Sequence, residues 1–272
     1  MIWQADLHSH STASDGQYTP TQLVRLAKQA GVQCLALTDH DTLAGGDEAQ
    51  TAGQEIGLRV LRGVELGAAE DRHLHIVGLA LRSGPSPLAE LCEALRRGRD
   101  ERKYRIVDFL AEKGIQIPLD EVEALAGGGV VARPHFAQVM VAHGFVATTR
   151  EAFDRYLDTS EYQRIERIKA SAEQCVQAIH SAGGRAVLAH PYQLGWPDDK
   201  LEALIRTLAQ AGLDALECYY PRHTPAQTRQ YLAWAQKYGL HVSGGNDFHG
   251  PAVHPGDVIR PIPLELDWLI QP

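Results

Sequence analysis

Seven short apolar runs punctuate the chain: Ile2 to Leu7, Cys34 to Leu37, Val60 to Val64, Leu74 to Leu81, Ala186 to Ala189, Ala215 to Cys218 and Leu240 to Ser243. Polar clusters and helical patterns separate them. Runs of this length, rich in β-branched and aliphatic residues and alternating with helices, predict parallel βα units. The helix starts are well marked. Thr19-Pro20-Thr21-Gln22 offers a capping threonine, a proline at the first helical position and a reciprocal glutamine. Behind it Leu23, Leu26, Ala27 and Ala30 share one face, and Gly31 ends the pattern. Thr224-Pro225-Ala226-Gln227 repeats the signal with a stop at Gly239, and Ser171-Ala172-Glu173-Gln174 opens a helix that stops at Gly183-Gly184.

The alternation breaks after Gly98. Helical stretches around Tyr104 to Lys113, Leu119 to Ala126, His135 to Val141 and Glu151 to Leu157 follow, with Gly127-Gly128-Gly129 between two of them and no strand pattern. This predicts a main body formed by residues 1–98 and 171–272, with a small helical insertion, residues 99–170, that contributes to the substrate pocket.

With 272 residues, the chain suffices for one large α/β domain carrying such an insertion. No apolar stretch is long enough to cross a bilayer, and the N-terminus lacks the basic start and apolar run of an export signal. The four cysteines are scattered in apolar patterns without a Cys-x-x-Cys pair, which predicts buried reduced thiols and a cytoplasmic location. A formal charge of −8 argues against a charge-driven grip on long duplex nucleic acid. It leaves room for a small anionic substrate, because three divalent cations in one pocket would move the total to about −2.

Histidine is the outlier, with 13 residues against 2 methionines and 5 phenylalanines. The ends of the runs carry many of them. Asp6-Leu7-His8-Ser9-His10 and Asp15 follow the first, Thr38-Asp39-His40-Asp41 the second, and Glu65 the third; Ala189-His190-Pro191 closes the fifth, and Asn246-Asp247-Phe248-His249 follows the seventh. The fourth run is an exception, with His73 and His75 at its start. Residues beyond the C-terminal ends of parallel strands converge on one face, so these groups aim at a common volume. Singly, His75 or His190 reads as a hydrogen-bonded or exposed histidine, Asp15 before Gly16 as a turn residue, and Glu65 as a surface acid. Jointly they would crowd charge on one rim without compensation, which bound cations relieve.

In order and number these motifs, together with His75-Ile76-Val77-Gly78, resemble those of the PHP (polymerase and histidinol phosphatase) domain. The resemblance covers both ends of the chain and leaves out mainly the insertion. It implies a distorted, TIM-like (β/α)7 barrel and two or three divalent metal ions. Carried over position by position, it makes His8, His10, Asp15, His40, Glu65, His75, His190, Asp247 and His249 the ligands, with Glu65 bridging. His8, His10, Glu65 and Asp247 would surround one ion, Glu65, His75 and His190 a second, and Asp15, His40 and His249 a third. Nitrogen and oxygen ligation without thiolate suits Mn2+ or Fe2+, with Zn2+ as the alternative. The implied reaction is attack on phosphorus by a metal-bound hydroxide held by His8, His10, Glu65 and Asp247. Asp6, Asp39 and Asp41 would orient ligand imidazoles from behind, or serve as caps and turns.

Arg133-Pro134-His135 and Tyr219-Tyr220-Pro221-Arg222-His223 each precede or open a helix, where an anion is favoured. Arg133, His135 and His223 are therefore the expected substrate-binding residues, whereas Arg164, Arg167 and Lys169 read as a solvated charge run. This layout is similar to stand-alone PHP enzymes acting on nucleotides. It implies release of the 3′-phosphate from nucleoside 3′,5′-bisphosphates such as adenosine 3′,5′-bisphosphate. Three other readings compete: 5′–3′ exonuclease action on short RNA, histidinol-phosphate phosphatase, and a degenerate metal-binding PHP module without activity.

Overall fold

The computed structural model describes residues 1–126, 131, 133–165 and 169–269, so Gly127-Gly128-Gly129 and Arg167 lie outside the described residues. By its own contacts the chain divides into two units, Met1–Glu93 with Lys169–Pro272, and Ala94–Ile168.

Among the described residues the first unit carries nine strands: β1 Ile2–Asp6, β2 Cys34–Leu37, β3 Arg59–Arg62, β4 Val64–Gly67, β5 His75–Leu79, β6 Arg185–Leu188, β7 Ala215–Tyr219, β8 His241–Gly244 and β9 Ile262–Glu265. They form two mixed sheets, ordered β3-β2-β1-β9 and β4-β5-β6-β7-β8. Strands β1 to β3 run parallel, as do β6 to β8, whereas β9 pairs antiparallel with β1, and β5 antiparallel with both β4 and β6.

The all-parallel expectation therefore needs correction in two places. The third run splits at Gly63, where a Cβ would lie 2.7 Å from the Thr38 methyl and 2.8 Å from the carbonyl oxygens of Leu37 and Gly78. Only a glycine lets the backbone pass that close, and there the chain leaves the first sheet for the second. Residues 68–74 then join β4 to β5. A connection that short cannot carry a parallel crossover, so β5 returns antiparallel. His75, at the start of β5, thus lies at the end of the sheet where its neighbours finish.

Backbone hydrogen bonds join the two sheets beyond the strand ends. Ser9 pairs in parallel with Phe248, and His40 with Glu65. The Asp247 amide donates to the His8 carbonyl (2.9 Å), and the Glu65 amide to that of Asp39 (3.1 Å). Side-chain alternation splits β2 between two clusters: Cys34 and Ala36 pack with Ala5, Leu79 and Val187 from both sheets, while Leu35 and Leu37 pack under the helices α1 Pro20–Gln29 and α2 Gly46–Ile56.

Among the described residues the remaining α-helices are α3 Pro87–Glu112, α4 Leu119–Ala126, α5 Arg133–Ala142, α6 Thr149–Ala152, α7 Ser160–Gln163, α8 Ala172–Ser181, α9 Asp198–Gln210 and α10 Pro225–Tyr238. Thr19, Ser171 and Thr224 make the reciprocal capping boxes their sequences announce. Helix α3 begins well before Tyr104, because Ser86 caps it through the Ala89 amide and Gly98 interrupts only the sequence pattern. The second unit has its own core, built around Leu110, Phe136, Met140, Leu157 and Tyr162. Among the described residues no helix is long and apolar enough to cross a membrane.

Candidate metal centre

Glu65, on β4 and fully buried, is the hub of the first unit's polar interior. Its Oε1 lies 2.7 Å from His75 Nδ1 and 2.9 Å from His190 Nε2. Its Oε2 lies 3.3 Å from His8 Nε2, 3.2 Å from His10 Nε2 and 3.1 Å from His40 Nδ1. Five imidazoles from four chain segments thus meet one carboxylate. Asp247 Oδ1 approaches His8 Nε2 at 3.4 Å and His10 Nε2 at 3.2 Å, while its Oδ2 accepts a hydrogen bond from the Tyr220 hydroxyl. Asp15, about half exposed, sits 3.4 Å from His249 Nε2, 3.7 Å from His40 Nε2 and 3.8 Å from His10 Nδ1.

Three groups offer ligand atoms that all lie within 4.8 Å of one another: His8, His10, Glu65 and Asp247; His40, Glu65 and His75; and His10, Asp15, His40 and His249. His190 reaches Glu65 without belonging to any of these groups. The polar atoms also show what the cage lacks. His8 Nε2, both ring nitrogens of His10, Glu65 Oε2 and His190 Nδ1 are buried without a hydrogen-bond partner. Each such orphan costs on the order of 1–3 kcal/mol, so four such nitrogens around one carboxylate, itself with an unpaired oxygen, make a poor protein interior and a good cradle for cations. Borderline nitrogen and hard oxygen donors suit divalent first-row metals.

The backbone is strained at the same place. His190 (φ 23°) and Asp247 (φ 50°) both adopt left-handed conformations that side chains rarely tolerate. Two of the acids expected to orient imidazoles, Asp39 and Asp6, bind backbone and side-chain donors near the site. Asp39 accepts from the Ser11 amide (2.7 Å) and from the hydroxyls of Ser11 (2.8 Å) and Ser14 (2.7 Å), clamping the loop that carries Asp15. Asp6 accepts from the His8 amide and from both the amide and side chain of Asn246, tying the end of β1 to the end of β8. The Asp41 amide donates to the Glu65 carbonyl.

Arg133 and His135 belong to the second unit, where Arg133 forms an ion pair with Asp158 at 2.6 Å. Lys169 is held by the Ala68 carbonyl. His223, in the first unit, packs among Tyr192, Tyr220 and Tyr231, and its Nδ1–H donates to the Cys218 carbonyl. Burial pulls its pKa down, so the ring is neutral near pH 7. Glu217, an acid inside the apolar run of β7, is absent from the residues expected at the site. It is 2% exposed and touches both His8 and the His190 amide. A charge within a four-residue buried run is the signal that marks it.

The electrostatics set a pH dependence. Burial lowers the His10 pKa, but Asp247 and Glu65 outweigh it and hold the ring at about 10; His8 is likewise raised, against burial, by Glu65, Glu217 and Asp247. Despite burial, Glu65 and Asp247 lie well below the usual carboxylate range, Glu65 mainly through His40 and His75, and Asp247 mainly through His8. The metal-free cage therefore keeps His8 and His10 protonated at neutral pH. The stability they contribute is complete below pH 6.5 and is lost as pH rises toward their folded values. The contribution of the two acids is present above their ordinary values and is lost as pH falls. A cation must displace the imidazole protons, so its grip strengthens with pH while the metal-free protein weakens. The rise in Tm on metal loading is therefore expected to widen from pH 6.5 to 9, as read by paired thermal melts; a constant or shrinking gap contradicts this.

Comparison with known proteins gives a family and several relatives. The pattern of the PHP domain matches residues 6–181. A 5′-3′ exoribonuclease from Haemophilus influenzae is 38% identical over 252 residues, 92% of each chain. A 3′,5′-nucleoside bisphosphate phosphatase from Chromobacterium violaceum is 34% identical over 273 residues, 96% of each chain. A Bifidobacterium adolescentis structure, solved as that of a candidate metal-dependent phosphoesterase, superposes with a TM-score of 0.76 at 31% identity, covering 97% of this chain and 93% of the other.

Proposed function

The chain belongs to the PHP domain family and is a metal-dependent phosphoesterase, and on that premise we propose that it removes the 3′-phosphate from nucleoside 3′,5′-bisphosphates such as adenosine 3′,5′-bisphosphate. The observation that carries this reading is the cage around Glu65, in a chain that aligns over 96% of its length with a phosphatase named for that substrate. We read the two joined sheets as the family's distorted (β/α)7 barrel, with the cage at one rim.

In this reading His8, His10, Glu65 and Asp247 hold one cation, Glu65 with His75 and His190 a second, and Asp15 with His40 and His249 a third. His40 stands between the last two, since it faces both Glu65 and Asp15. When bound, such cations, Mn2+ or Fe2+ by the donor set with Zn2+ as the alternative, would acidify a water and offset phosphoryl charge. The protein supplies placement. Glu65 divides its two oxygens between two groups of imidazoles, Tyr220 immobilises the outer oxygen of Asp247, and the Asp39 clamp brings in Asp15. Cysteine takes no part as a nucleophile: the four thiols are buried, and burial pushes those of Cys34, Cys92 and Cys175 up to about 12.

The second phosphate is assigned to Arg133, His135 and His223. For Arg133 and His135 the assignment rests on sequence alone, while His223 lies in the same unit as the cage. The Haemophilus relative favours a second reading, 5′–3′ hydrolysis of short RNA. One panel separates them: phosphate release from adenosine 3′,5′-bisphosphate and from 5′-AMP, and nucleotide release from short 5′-phosphorylated RNA, all with added Mn2+. Preference for the bisphosphate over 5′-AMP by at least about tenfold in kcat/KM, about 1.4 kcal/mol, is expected. Equal turnover of both mononucleotides removes the two-phosphate argument, and faster cleavage of RNA transfers the assignment to the second reading.

A further inference from the structure

We propose that Glu217 is a positioning residue of the metal centre: it fixes which nitrogen of His8 faces the cations and pins the strained turn that presents His190. The inference rests on the metal-binding role given to His8 above.

Glu217 sits on β7, which contributes none of the nine expected ligands. It is 2% exposed, and both of its oxygens are engaged. Oε1 lies 3.1 Å from His8 Nδ1, and Oε2 accepts the His190 amide at 2.6 Å. A carboxylate can only accept, so His8 must carry a proton on Nδ1. That leaves Nε2, which faces Glu65 Oε2 and Asp247 Oδ1, as the nitrogen whose proton a cation would displace and whose lone pair would then point at the candidate metal position. The second contact serves a different ligand. His190 opens the 310 turn Pro191–Leu194 with φ 23°, a conformation that persists only where the surroundings impose it. The hydrogen bond from its own amide to Glu217 is such a restraint. One side chain from an otherwise silent strand thus sets the orientation of two imidazoles on either side of Glu65.

Glutamine at 217 is close in shape yet cannot replace both contacts. Its carbonyl oxygen can accept from either the His8 ring or the His190 amide, and its NH2 then opposes the other donor. E217Q is expected to weaken metal binding by about 10–100-fold in a chelator competition. Its kcat should return towards wild type at saturating metal, a recovery that general loss of structure would not give.

The wild-type protein provides a test that does not depend on the variant folding. In selectively 15N-histidine-labelled protein loaded with Zn2+, long-range 1H–15N spectra should show His8 protonated at Nδ1 and metal-bound at Nε2. Zinc bound through Nδ1, or an Nδ1 without a proton, overturns this inference alone, as does wild-type metal affinity in E217Q. His8 signals that do not respond to zinc at all remove the metal reading and this inference with it.

Discussion

Glu65→Gln is expected to lower kcat/KM by roughly two to three and a half orders of magnitude and to strip most of the bound metal. The substitution keeps the shape and hydrogen-bonding reach of the side chain but replaces one oxygen with an NH2. In the wild-type protein both oxygens face imidazole nitrogens, two on one side and three on the other. Whichever way the amide turns, one set meets a donor that carries no lone pair for a cation. Breaking a buried charged cluster by removing one partner costs about 3–5 kcal/mol, which sets the size of the loss. The metal-free protein should also suffer, with a definite sign. Protonated His8 and His10 lose a counter-charge, so E65Q should melt below wild type at pH 6.5, with the gap closing toward pH 10 as His10 deprotonates. Metal content by elemental analysis, phosphate release and paired melts measure all three. Wild-type metal content with activity within about threefold would end the assignment of Glu65 as the shared ligand.

How far these features could be read in advance varied with how local their causes are. The helix starts at Thr19, Ser171 and Thr224 were legible because capping chemistry lies within four residues. The groups of the cage were legible as types: imidazoles and acids recur beside short apolar runs, and only one geometry brings such runs together at one rim. What the runs could not reveal was direction. His75 looked misplaced at the start of its strand until the antiparallel course of β5 put that start at the same rim as the other groups. The break at Gly63 was hidden because it depends on how close Thr38 and Gly78 come, a tertiary distance. Strand β9, with Pro263 among its four residues, carries too little strand propensity to stand out and exists because β1 offers it an edge. Glu65 was legible because it ends its apolar run, whereas Glu217 was not. It lies within an apolar run instead of beside other polar groups, and nothing nearby in sequence hints that its partners are 209 and 27 residues away.

Gly245→Ala should cost activity through packing alone, without altering a polar group. A Cβ at this position would stand 2.3 Å from His8 Cβ and 2.6 Å from the His8 amide nitrogen, distances at which the backbone of His8 must move. It stands at the seam where the Leu7 amide meets the Gly244 carbonyl, the Asp247 amide meets that of His8, and Asn246 grips Asp6. Overpacking of this kind costs about 1–3 kcal/mol in stability. The expected loss of activity is larger, roughly 100-fold, because His8 and Asp247 are displaced relative to each other and about 1 Å of misplacement is enough for that. Gly57→Ala gives the comparison that isolates the cause. Gly57 closes α2 at φ 65°, and a Cβ there would meet nothing within 4 Å, so alanine adds only backbone strain, about 1–2 kcal/mol. The two variants should therefore lose similar stability, while only G245A loses metal affinity and turnover below its melting range. If G57A loses as much activity as G245A, general destabilisation is responsible; if neither does, the cage tolerates movement of His8 and close placement is not what the seam secures.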